Sequence, residues 1–197
     1  MTEHKPLVVC ICGMAGSGKS TQARRLAEKY GLNYYSGGDA LKALAIEMGY
    51  NPSVRGWWET PEGLAFMENR ERNHEFDLKV DHKLLEAAEK GNVILDSWTM
   101  PWLLKHGFKI WLEASLEKRA ERVARRDGIS LQQAMEALKS KESKTKSIYE
   151  KLYGFRLGED LSPFHLILDT ENLTSDEVFQ ALTLVLDKVI LERRFIP

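Results

Sequence analysis

The segment Gly13-Met14-Ala15-Gly16-Ser17-Gly18-Lys19-Ser20 constrains the fold of this chain more than any other. It fits the pattern G-x-x-x-x-G-K-[ST] and lies between an apolar run at 7–12 and a run of helix formers at 19–30. Glycines let a loop bring its backbone N–H groups around phosphate oxygens, because no Cβ atoms obstruct the approach, and a helix N-terminus adds positive potential. The pattern therefore predicts a phosphate-binding loop. A glycine turn in an unrelated α/β fold is the alternative, and it accounts less well for the strand and helix on either side.

The loop also contains the side chains that a nucleoside triphosphate needs. Lys19 supplies a mobile cation for the β- and γ-phosphates, and Ser20 supplies a hydroxyl for Mg²⁺. We therefore expect ATP and Mg²⁺ to be the cofactors and Lys19 to be catalytic.

Two carboxylates follow predicted strands. The apolar run Val93-Ile94-Leu95 ends at Asp96, which would hold Mg²⁺ through water or orient the acceptor, although many strands end in Asp. In the segment 36–39, a strand gives way to glycines and then to a helix that begins near Asp39. Asp39 is then the N-cap of that helix or a ligand at the carboxyl edge of the sheet, and both roles can hold together.

Three arginines, Arg119, Arg122 and Arg126, fall within successive turns of one predicted helix face at 116–126. Phosphoryl transfer needs positive charge near the developing oxyanions, and arginine supplies it with a planar fork. A solvated charged face is the alternative. We expect at least one of the three to contact phosphate.

Strands alternate with helices along the chain. Apolar and β-branched runs predict strands at 7–12, 33–36, 92–96, 108–112 and 164–168. Amphipathic stretches predict helices at 19–30, 39–48, 116–126, 131–152 and 175–191. The alternation indicates an α/β fold, in which a five-stranded parallel sheet carries helices on both faces in three layers. Joined to the phosphate-binding loop, it predicts a P-loop fold of the kind that kinases have.

No repeat, low-complexity tract or Gly/Ser linker marks a second domain, so we expect residues 1–197 to form one domain. Two segments interrupt the regular alternation. The first, 49–90, is polar and rich in aromatic residues, and we expect it to bind the acceptor. The second, 127–158, is a charged helical-hairpin candidate, and we expect it to form a lid. The core would then consist of residues 1–48, 91–126 and 159–197.

Composition and charge narrow the classes of function. The chain is 43% hydrophobic and 29% charged, which is ordinary for a globular protein that needs no disulfide or structural metal. A formal net charge of −1 leaves no excess of cations for nucleic acid or for an anionic membrane. The first apolar run is too short for a membrane span and lacks a signal-peptide cleavage pattern. We expect a cytoplasmic protein, and we favour a monomer.

The two cysteines, Cys10 and Cys12, lie two residues apart on a predicted strand and so point to the same face rather than toward each other. We interpret them as buried core residues. A Cys-x-Cys metal site is the alternative, but no second Cys/His cluster completes it.

Six stretches of the sequence together resemble the archaeal cytidylate kinases, within the nucleoside monophosphate kinase superfamily. They are the glycine loop, SGGDALKALA, GNVILDS, KIWLEASLEKRAERVARRDGIS, YEKLYG and DLSPFHLILDT. The resemblance covers most of the chain and is loose from 49 to 75. It implies a core with a five-stranded sheet, an acceptor-binding helical insertion, and a lid that closes over the triphosphate and excludes water.

The resemblance also implies roles for single residues. Arg122 and Arg126 match arginines that flank the lid, and Asp39 and Asp77 fall in the acceptor region. Residues 13–21 match the ATP phosphate loop. The predicted cofactor-binding residues are then Gly13, Met14, Ala15, Gly16, Ser17, Gly18, Lys19, Ser20 and Thr21.

The chain departs from that family where the phosphate of the acceptor is bound. It has Lys42 where the family tends to place an arginine, and Asp96-Ser97-Trp98 where Glu-Gly-Arg follows the third strand. The predicted lid segment SKESKTKSIYEKLYG contains no arginine, and its lysines before the first tyrosine include Lys141, Lys144 and Lys146. Lysine does not reproduce the bidentate geometry of arginine.

Two interpretations of the acceptor site follow. Either Lys42 with Arg55 or Arg70 rebuilds a monophosphate site, or the acceptor is not a standard nucleotide. The tryptophans Trp57, Trp58, Trp98 and Trp102 could stack on a base or another ring, or they could fill the core. The predicted acceptor-binding residues are Ser36, Asp39, Lys42, Arg55, Asp77 and Trp98. The predicted catalytic residues are Lys19, Asp96, Arg122 and Arg126, and the predicted metal ligands are Ser20 and Asp96.

The leading hypothesis is phosphoryl transfer from ATP to a nucleoside monophosphate, which the resemblance implies to be CMP or dCMP. A second hypothesis keeps the ATP site but assigns another small acceptor, such as a nucleoside, a sugar or another metabolite. A third, less favoured, is a nucleotide-switched regulatory or RNA-associated factor.

Overall fold

The computed structural model describes residues 7–53 and 56–192, so Arg55 lies outside the described residues. The strands are β1 (Val8–Cys12), β2 (Asn33–Ser36), β3 (Val93–Asp96), β4 (Phe108–Glu113) and β5 (Leu166–Asp169). The helices are α1 (Lys19–Tyr30), α2 (Gly37–Glu47), α3 (Pro61–Arg72), α4 (Glu75–Lys90), α5 (Met100–Leu103), α6 (Leu116–Asp127), α7 (Leu131–Tyr153) and α8 (Ser175–Glu192). The strands and helices that the sequence predicts are all present. None of the helices in the described ranges has the length and apolarity that crossing a membrane requires.

The strands form one sheet in the order β2-β3-β1-β4-β5, and every neighbouring pair is parallel. β1 lies at the centre, as its fully buried, apolar sequence favours. Because the pairing is parallel, the carboxyl ends of the strands meet at one edge, where Asp96 lies beside both Ile11 and Ser36. The predicted five-stranded parallel sheet is confirmed.

Alternate side chains of β1 point to opposite faces of the sheet and into separate cores. Val8 and Cys10 pack with side chains of α2 and α4, whereas Val9 and Ile11 pack with side chains of α1 and α8. Helices therefore cover both faces, which confirms the three-layer fold. Cys10 and Cys12 are buried free thiols, as expected for core residues.

The segment 127–158, predicted to be a helical hairpin, contains only one helix of the hairpin that the structure shows. α7 runs for 23 residues after a capping box at Ser130 and Gln133, and it pairs with α6 to form the hairpin. Gly128 ends α6 in the left-handed conformation, so the turn between the helices is only three residues long. The boundaries of a lid and of an acceptor-binding insertion stay predictions.

The aromatic part of the first interruption packs around a 3₁₀ turn, Trp57–Glu59, that lies against α3. Trp57 is buried, contacts Phe66, and donates its indole N–H to Glu62 at 2.8 Å. The turn can approach this closely because position 63 is glycine: a Cβ there would lie 2.0 Å from the Trp57 carbonyl oxygen. Trp57 is therefore part of the core.

Two glycines in the first turns of helices give a matched test of this packing. We expect Gly63→Ala to lower the free energy of unfolding by about 2–4 kcal/mol, because the backbone of the turn has to move. The nearest neighbour of a Cβ at Gly38, in α2, is the Ser36 Oγ at 3.6 Å. Gly38→Ala should therefore leave stability unchanged or raise it by up to about 1 kcal/mol. Urea unfolding of both variants measures the difference, and similar values for the two would contradict the proposed close packing.

Candidate active site

A cleft of about 880 Å³ opens at the carboxyl edge of the sheet, beside the glycine loop. It brings together most of the residues that the sequence predicts to be functional. The predicted residues that line it are Ala15, Gly16, Ser17, Gly18, Lys19, Ser20, Thr21, Ser36, Asp39, Lys42, Asp77, Asp96, Trp98, Arg122 and Arg126. Met14 instead packs in a core with Trp111, and Gly13 is buried beneath the cleft.

The glycine loop has the backbone that the motif requires. Gly13, Gly16 and Gly18 have φ values of 147°, 84° and 95°, a region that side chains with a Cβ rarely adopt. A Cβ at Gly13 would lie 2.5 Å from the Leu112 carbonyl oxygen, whereas a Cβ at Gly18 would meet nothing within 4 Å. The first glycine therefore permits close packing against the sheet, and the last leaves open space at the start of α1.

The N-terminus of α1 is left without a side-chain cap and has no acidic residue in its first turn. By contrast, a serine side chain caps each of α2, α6 and α7. Within the described residues, the N–H groups of Gly16, Gly18 and Lys19 donate to no protein acceptor, and the buried Ser17 Oγ has no hydrogen-bond partner. Uncapped amides at a helix N-terminus suit the oxygens of a bound anion. The loop is thus built to accept phosphate.

Asp96 lies at the end of β3, nearly fully buried, and its Oδ2 accepts a hydrogen bond from the Tyr34 hydroxyl at 3.1 Å. Burial, together with the Asp96 carboxylate, raises the pKa of Tyr34, so this hydroxyl stays a donor. The Arg24 guanidinium lies over the Tyr34 ring and pairs with Asp39 at 3.0 Å. These contacts link the two predicted carboxylates across β2.

Asp39 is not the N-cap of α2. The helix begins at Gly37, and the Ser36 side chain caps it by accepting a hydrogen bond from the Asp39 N–H at 3.1 Å. The capping alternative for Asp39 is therefore wrong, because two glycines that could have formed a loop are helical. The Asp39 carboxylate, which is more than half exposed, lines the cleft.

The three arginines of α6 have different partners. Arg119 is buried, donates to the Ala15 carbonyl at 3.0 Å and pairs with Glu142 of α7. Arg122 donates to the Thr170 carbonyl at 2.6 Å. Arg126 pairs with the adjacent Asp127. Arg119 therefore supports the loop from beneath, whereas Arg122 and Arg126 line the cleft.

Arg70 and Asp77 form a buried ion pair in the wall of the cleft. The Arg70 Nη2 lies 2.6 Å from an oxygen of Asp77 and donates to the Tyr149 hydroxyl at 3.0 Å, while Nη1 donates to Thr145. The guanidinium is thus occupied by protein acceptors. Of the cations predicted to rebuild a monophosphate site, Lys42 lines the cleft without such an ion pair among the described residues, and Arg55 falls outside them.

The tryptophans divide between cleft and core. Trp58 and Trp98 line the cleft, and the indole N–H of Trp98 donates to the Gly13 carbonyl at 2.6 Å. Trp102 instead stacks on Phe155, with ring centroids 4.0 Å apart. The possibility of stacking on a ligand ring therefore remains a prediction for Trp58 and Trp98.

Asp81 is a buried cleft residue that sequence reasoning missed. Its oxygens accept hydrogen bonds from the Thr99 and Tyr153 hydroxyls. Burial raises the pKa of Asp81 to about 6, although these two hydrogen bonds act in the opposite direction. One sequence feature could have indicated that Asp81 is buried: it lies four residues after Asp77, on the same face of an amphipathic helix.

The comparisons with known proteins agree with this geometry. The model of the family described as "Cytidylate kinase-like family" matches residues 8–172. A cytidylate kinase from Pyrococcus horikoshii is 34% identical over 182 residues, which are 92% of this chain and 88% of that protein. A cytidylate kinase from Methanopyrus kandleri is 36% identical over 198 residues, covering 95% of this chain and 96% of that protein. The chain belongs to the cytidylate kinase-like family.

Solved structures show the same fold. A shikimate kinase from Bacteroides thetaiotaomicron aligns with a TM-score of 0.56 at 16% identity, covering 92% of this chain and 98% of its own. A shikimate kinase from Acinetobacter baumannii, in complex with shikimate, aligns with a TM-score of 0.53 at 17% identity, covering 98% and 96%. At such identity these likenesses concern the fold alone, which is that of P-loop kinases.

Membership in the cytidylate kinase-like family makes the chain a nucleotide kinase that uses ATP. The lysines of the predicted lid segment are not equivalent. Lys144 lies 4.0 Å from Glu68, and Lys146 lies 3.3 Å from Glu159. Lys141, by contrast, lines the cleft.

The raised pKa of Asp81 predicts a pH dependence of stability. Its folded-state pKa lies above the unfolded value near 4, so its contribution to stability is complete below pH 4 and is lost as the pH rises through about 6. Asp81→Asn cannot ionise, and at pH 8 it should raise the free energy of unfolding by about 1–3 kcal/mol relative to wild type. The gain should shrink as the pH falls toward 4.

Urea unfolding between pH 4.5 and 8 measures this effect. Glu89→Gln, an exposed carboxylate on the same helix, is the control and should change stability little at either pH. A wild-type stability that runs parallel to that of Asp81→Asn across the range would contradict the buried ionisation.

Proposed function

We propose that this protein transfers the γ-phosphate of Mg·ATP to CMP or dCMP. The observation that carries the proposal is that one cleft contains both the uncapped start of α1 with its glycine loop and a wall of polar and aromatic side chains. Relatives in the same family are named cytidylate kinase, which favours a cytidine nucleotide as the acceptor.

The donor half of the site would work by positioning and charge neutralisation. Residues 15–21, which line the cleft, would hold the triphosphate, in part through backbone N–H groups. Lys19 would neutralise charge on the transferred phosphoryl group as it leaves the β-phosphate. Arg122, fixed by Thr170 beside the Ser17 carbonyl, would add charge at the same end. Arg126 borders this side of the cleft.

Ser20 and Asp96 offer the hard oxygen donors that Mg²⁺ prefers. The described residues contain no group of three or more Asp, Glu, His or Cys side chains able to hold a metal by themselves. A site of one hydroxyl and one carboxylate fits Mg²⁺, which commonly takes its remaining ligands from water and substrate phosphates. When held by Ser20 and Asp96, the ion would supply positive charge that neutralises the phosphates of the nucleotide.

The acceptor half offers partners for a pyrimidine nucleotide. Asp77, Asp81 and Thr99 line one wall, and carboxylate and hydroxyl oxygens there suit the exocyclic amino group of cytosine. Trp58 and Trp98 offer aromatic faces for the ring. Ser36, Asp39 and Lys42, which also line the cleft, would contact the sugar and phosphate, and Arg55 stays a prediction.

A different small acceptor, such as a nucleoside or a sugar, is not favoured by relatives that are named cytidylate kinases. A nucleotide-switched regulatory factor is favoured by no observation. The proposal includes a monomer acting in the cytoplasm, with 49–90 as the acceptor-binding insertion and 127–158 as the lid.

An ADP-release assay across acceptors tests the assignment. We expect CMP and dCMP to stimulate turnover strongly, with UMP, AMP, nucleosides, sugars and shikimate giving little. Uracil lacks the amino group that this wall would bind, adenine is a larger two-ring base, and the other acceptors lack the phosphate or the base. If no monophosphate raises ADP release above the rate with ATP alone, the acceptor assignment is wrong.

Lys19→Ala should lower kcat by about 10²-fold or more while leaving the fold intact, because it removes charge that stabilises the transition state. Lys29→Ala, on an exposed face at the other end of α1, is the matched control and should retain full activity. Steady-state kinetics and circular dichroism of both variants measure the two effects. A well-folded Lys19→Ala protein with wild-type turnover would contradict the role of the loop.

A further inference from the structure

We infer that Arg119 is a positioning residue for phosphoryl transfer: by holding the Ala15 carbonyl, it orients the Gly16 N–H toward a phosphate oxygen of ATP. Ala15 and Gly16 share one peptide group, so a contact at the oxygen of that group decides the direction of its hydrogen. The inference rests on the proposed function, in that residues 15–21 bind the triphosphate, but it does not depend on the identity of the acceptor.

The peptide group between Ala15 and Gly16 has one end on the protein and the other free for a ligand. Its oxygen accepts a hydrogen bond from the Arg119 Nη1 at 3.0 Å. Its N–H donates to no acceptor among the described residues. In a planar trans peptide the two groups point in opposite directions, so the Gly16 N–H points away from the guanidinium. Because both residues line the cleft, this N–H suits the oxygen of a bound phosphate.

Arg119 itself is not placed to contact the nucleotide. Its side chain is buried, at 6% exposure, and it is not among the residues that line the cleft. Its Nε donates to the Ala114 carbonyl at 3.1 Å, and both of its terminal nitrogens contact Glu142 of α7. A guanidinium with several strong acceptors is held in one place. Arg119 can therefore act on the phosphates only through the peptide group that it holds.

The α6–α7 hairpin also encloses the residues on either side of this peptide group. A Cβ at Gly16 would lie 2.8 Å from the Arg119 carbonyl oxygen and 3.0 Å from its Cβ, so the glycine allows α6 to approach the loop closely. On the other side, the Ala15 side chain packs in the core of the hairpin, beside Ala120, Val123, Ala134 and Leu138. The peptide group therefore has little freedom to rotate.

The bond to Ala15 is the strongest candidate among the contacts that hold loop carbonyls. The Gly13 carbonyl accepts the neutral indole N–H of Trp98, and Arg122 approaches the Ser17 carbonyl only to 3.4 Å. The Ala15 carbonyl instead accepts a short bond from a charged donor, which is roughly twice as strong as a neutral one. Such a bond also polarises the peptide group, and this makes its N–H a better donor at the other end.

A double substitution tests the role without leaving a charge unpaired. Arg119→Met alone would strand the nearly buried Glu142, whereas Arg119→Met/Glu142→Met removes both charges and keeps unbranched side chains, so the hairpin should stay folded. By isothermal titration calorimetry, we expect this variant to bind ATP about tenfold more weakly than wild type. Glu150→Met/Arg156→Met removes an exposed ion pair near the end of α7 and, as the matched control, should stay within about twofold.

Glu142→Gln separates the ion pair from the contact with the loop. This variant removes the carboxylate charge but leaves Arg119 able to donate to Ala15. Its affinity for ATP should therefore stay within about threefold of wild type, well above that of the double variant.

The Gly16 amide proton reports the proposed contact directly. In ¹H–¹⁵N NMR spectra of wild type at saturating ADP and Mg²⁺, the amide protons of Gly16 and Gly18 should move downfield, as expected for N–H groups that donate to a charged acceptor. In Arg119→Met/Glu142→Met, also at saturation, Gly18 should still move, whereas Gly16 should move much less. Loss of hairpin stability alone would not remove the Gly16 shift selectively.

Two results would overturn the inference. One is a wild-type Gly16 amide proton that does not move with ADP, even if CMP is phosphorylated and the proposed function holds. The other is an equal Gly16 shift in wild type and in a double variant that circular dichroism shows to be folded. By contrast, a wild type that fails to phosphorylate CMP but shows the expected shifts would remove the proposed acceptor and support the role of Arg119.

Discussion

The parallel hydrogen bonds between β1 and β3 fix the geometry on which the whole site depends. They set Ile11 beside Asp96, and the Ser97 N–H extends the ladder by donating to the Ile11 carbonyl at 3.2 Å. Immediately beyond, the Trp98 indole donates to the Gly13 carbonyl. The first glycine of the loop, the carboxylate at the end of β3 and the indole wall are therefore held together mainly through backbone groups. Substitutions elsewhere in the cleft can change its chemistry without moving this frame.

Arginine and lysine have different tasks around the cleft. The guanidinium groups of Arg70, Arg119 and Arg122 are engaged by carboxylates and carbonyls of the protein, acceptors that suit their planar forks. Such pairs tie elements together, and they also neutralise charge that a phosphate would otherwise meet. The phosphate contact proposed for Lys19 needs a compact charge on a mobile stem instead.

Much of the fold could be predicted because its signals are local. The glycine loop is a contiguous motif, the strands are short apolar runs, and α1 and α7 end at glycines that the sequence shows directly. The donor side of the site follows from the same segment. The strand ends then bring Asp96 and Ser36 to one edge, as parallel pairing requires.

The rest depends on contacts between residues distant in sequence. Asp81 meets Tyr153 across 72 positions, and Arg70 meets Tyr149 across 79, so no local pattern indicates either contact. The sequence also does not show that Trp57 packs in the core whereas Trp58 lines the cleft. The two residues are adjacent, and only the 3₁₀ turn places their side chains in different surroundings. The predicted start of α2, near Asp39, was wrong for a simpler reason. Ser36 caps the helix, and its hydrogen bond stabilises two glycines in a helical conformation that they do not favour by themselves.

The buried pair of Arg119 with Glu142 restricts how the molecule can move. It joins α6 to α7 and, through Ala15, joins both helices to the glycine loop. Separating two charges that are shielded from water is unfavourable unless each finds a new partner. The α6–α7 hairpin should therefore move as one rigid body, and the changes in backbone φ and ψ angles should be confined to the segments at its two ends. Any such movement would then also displace the glycine loop, to which Arg119 is hydrogen-bonded.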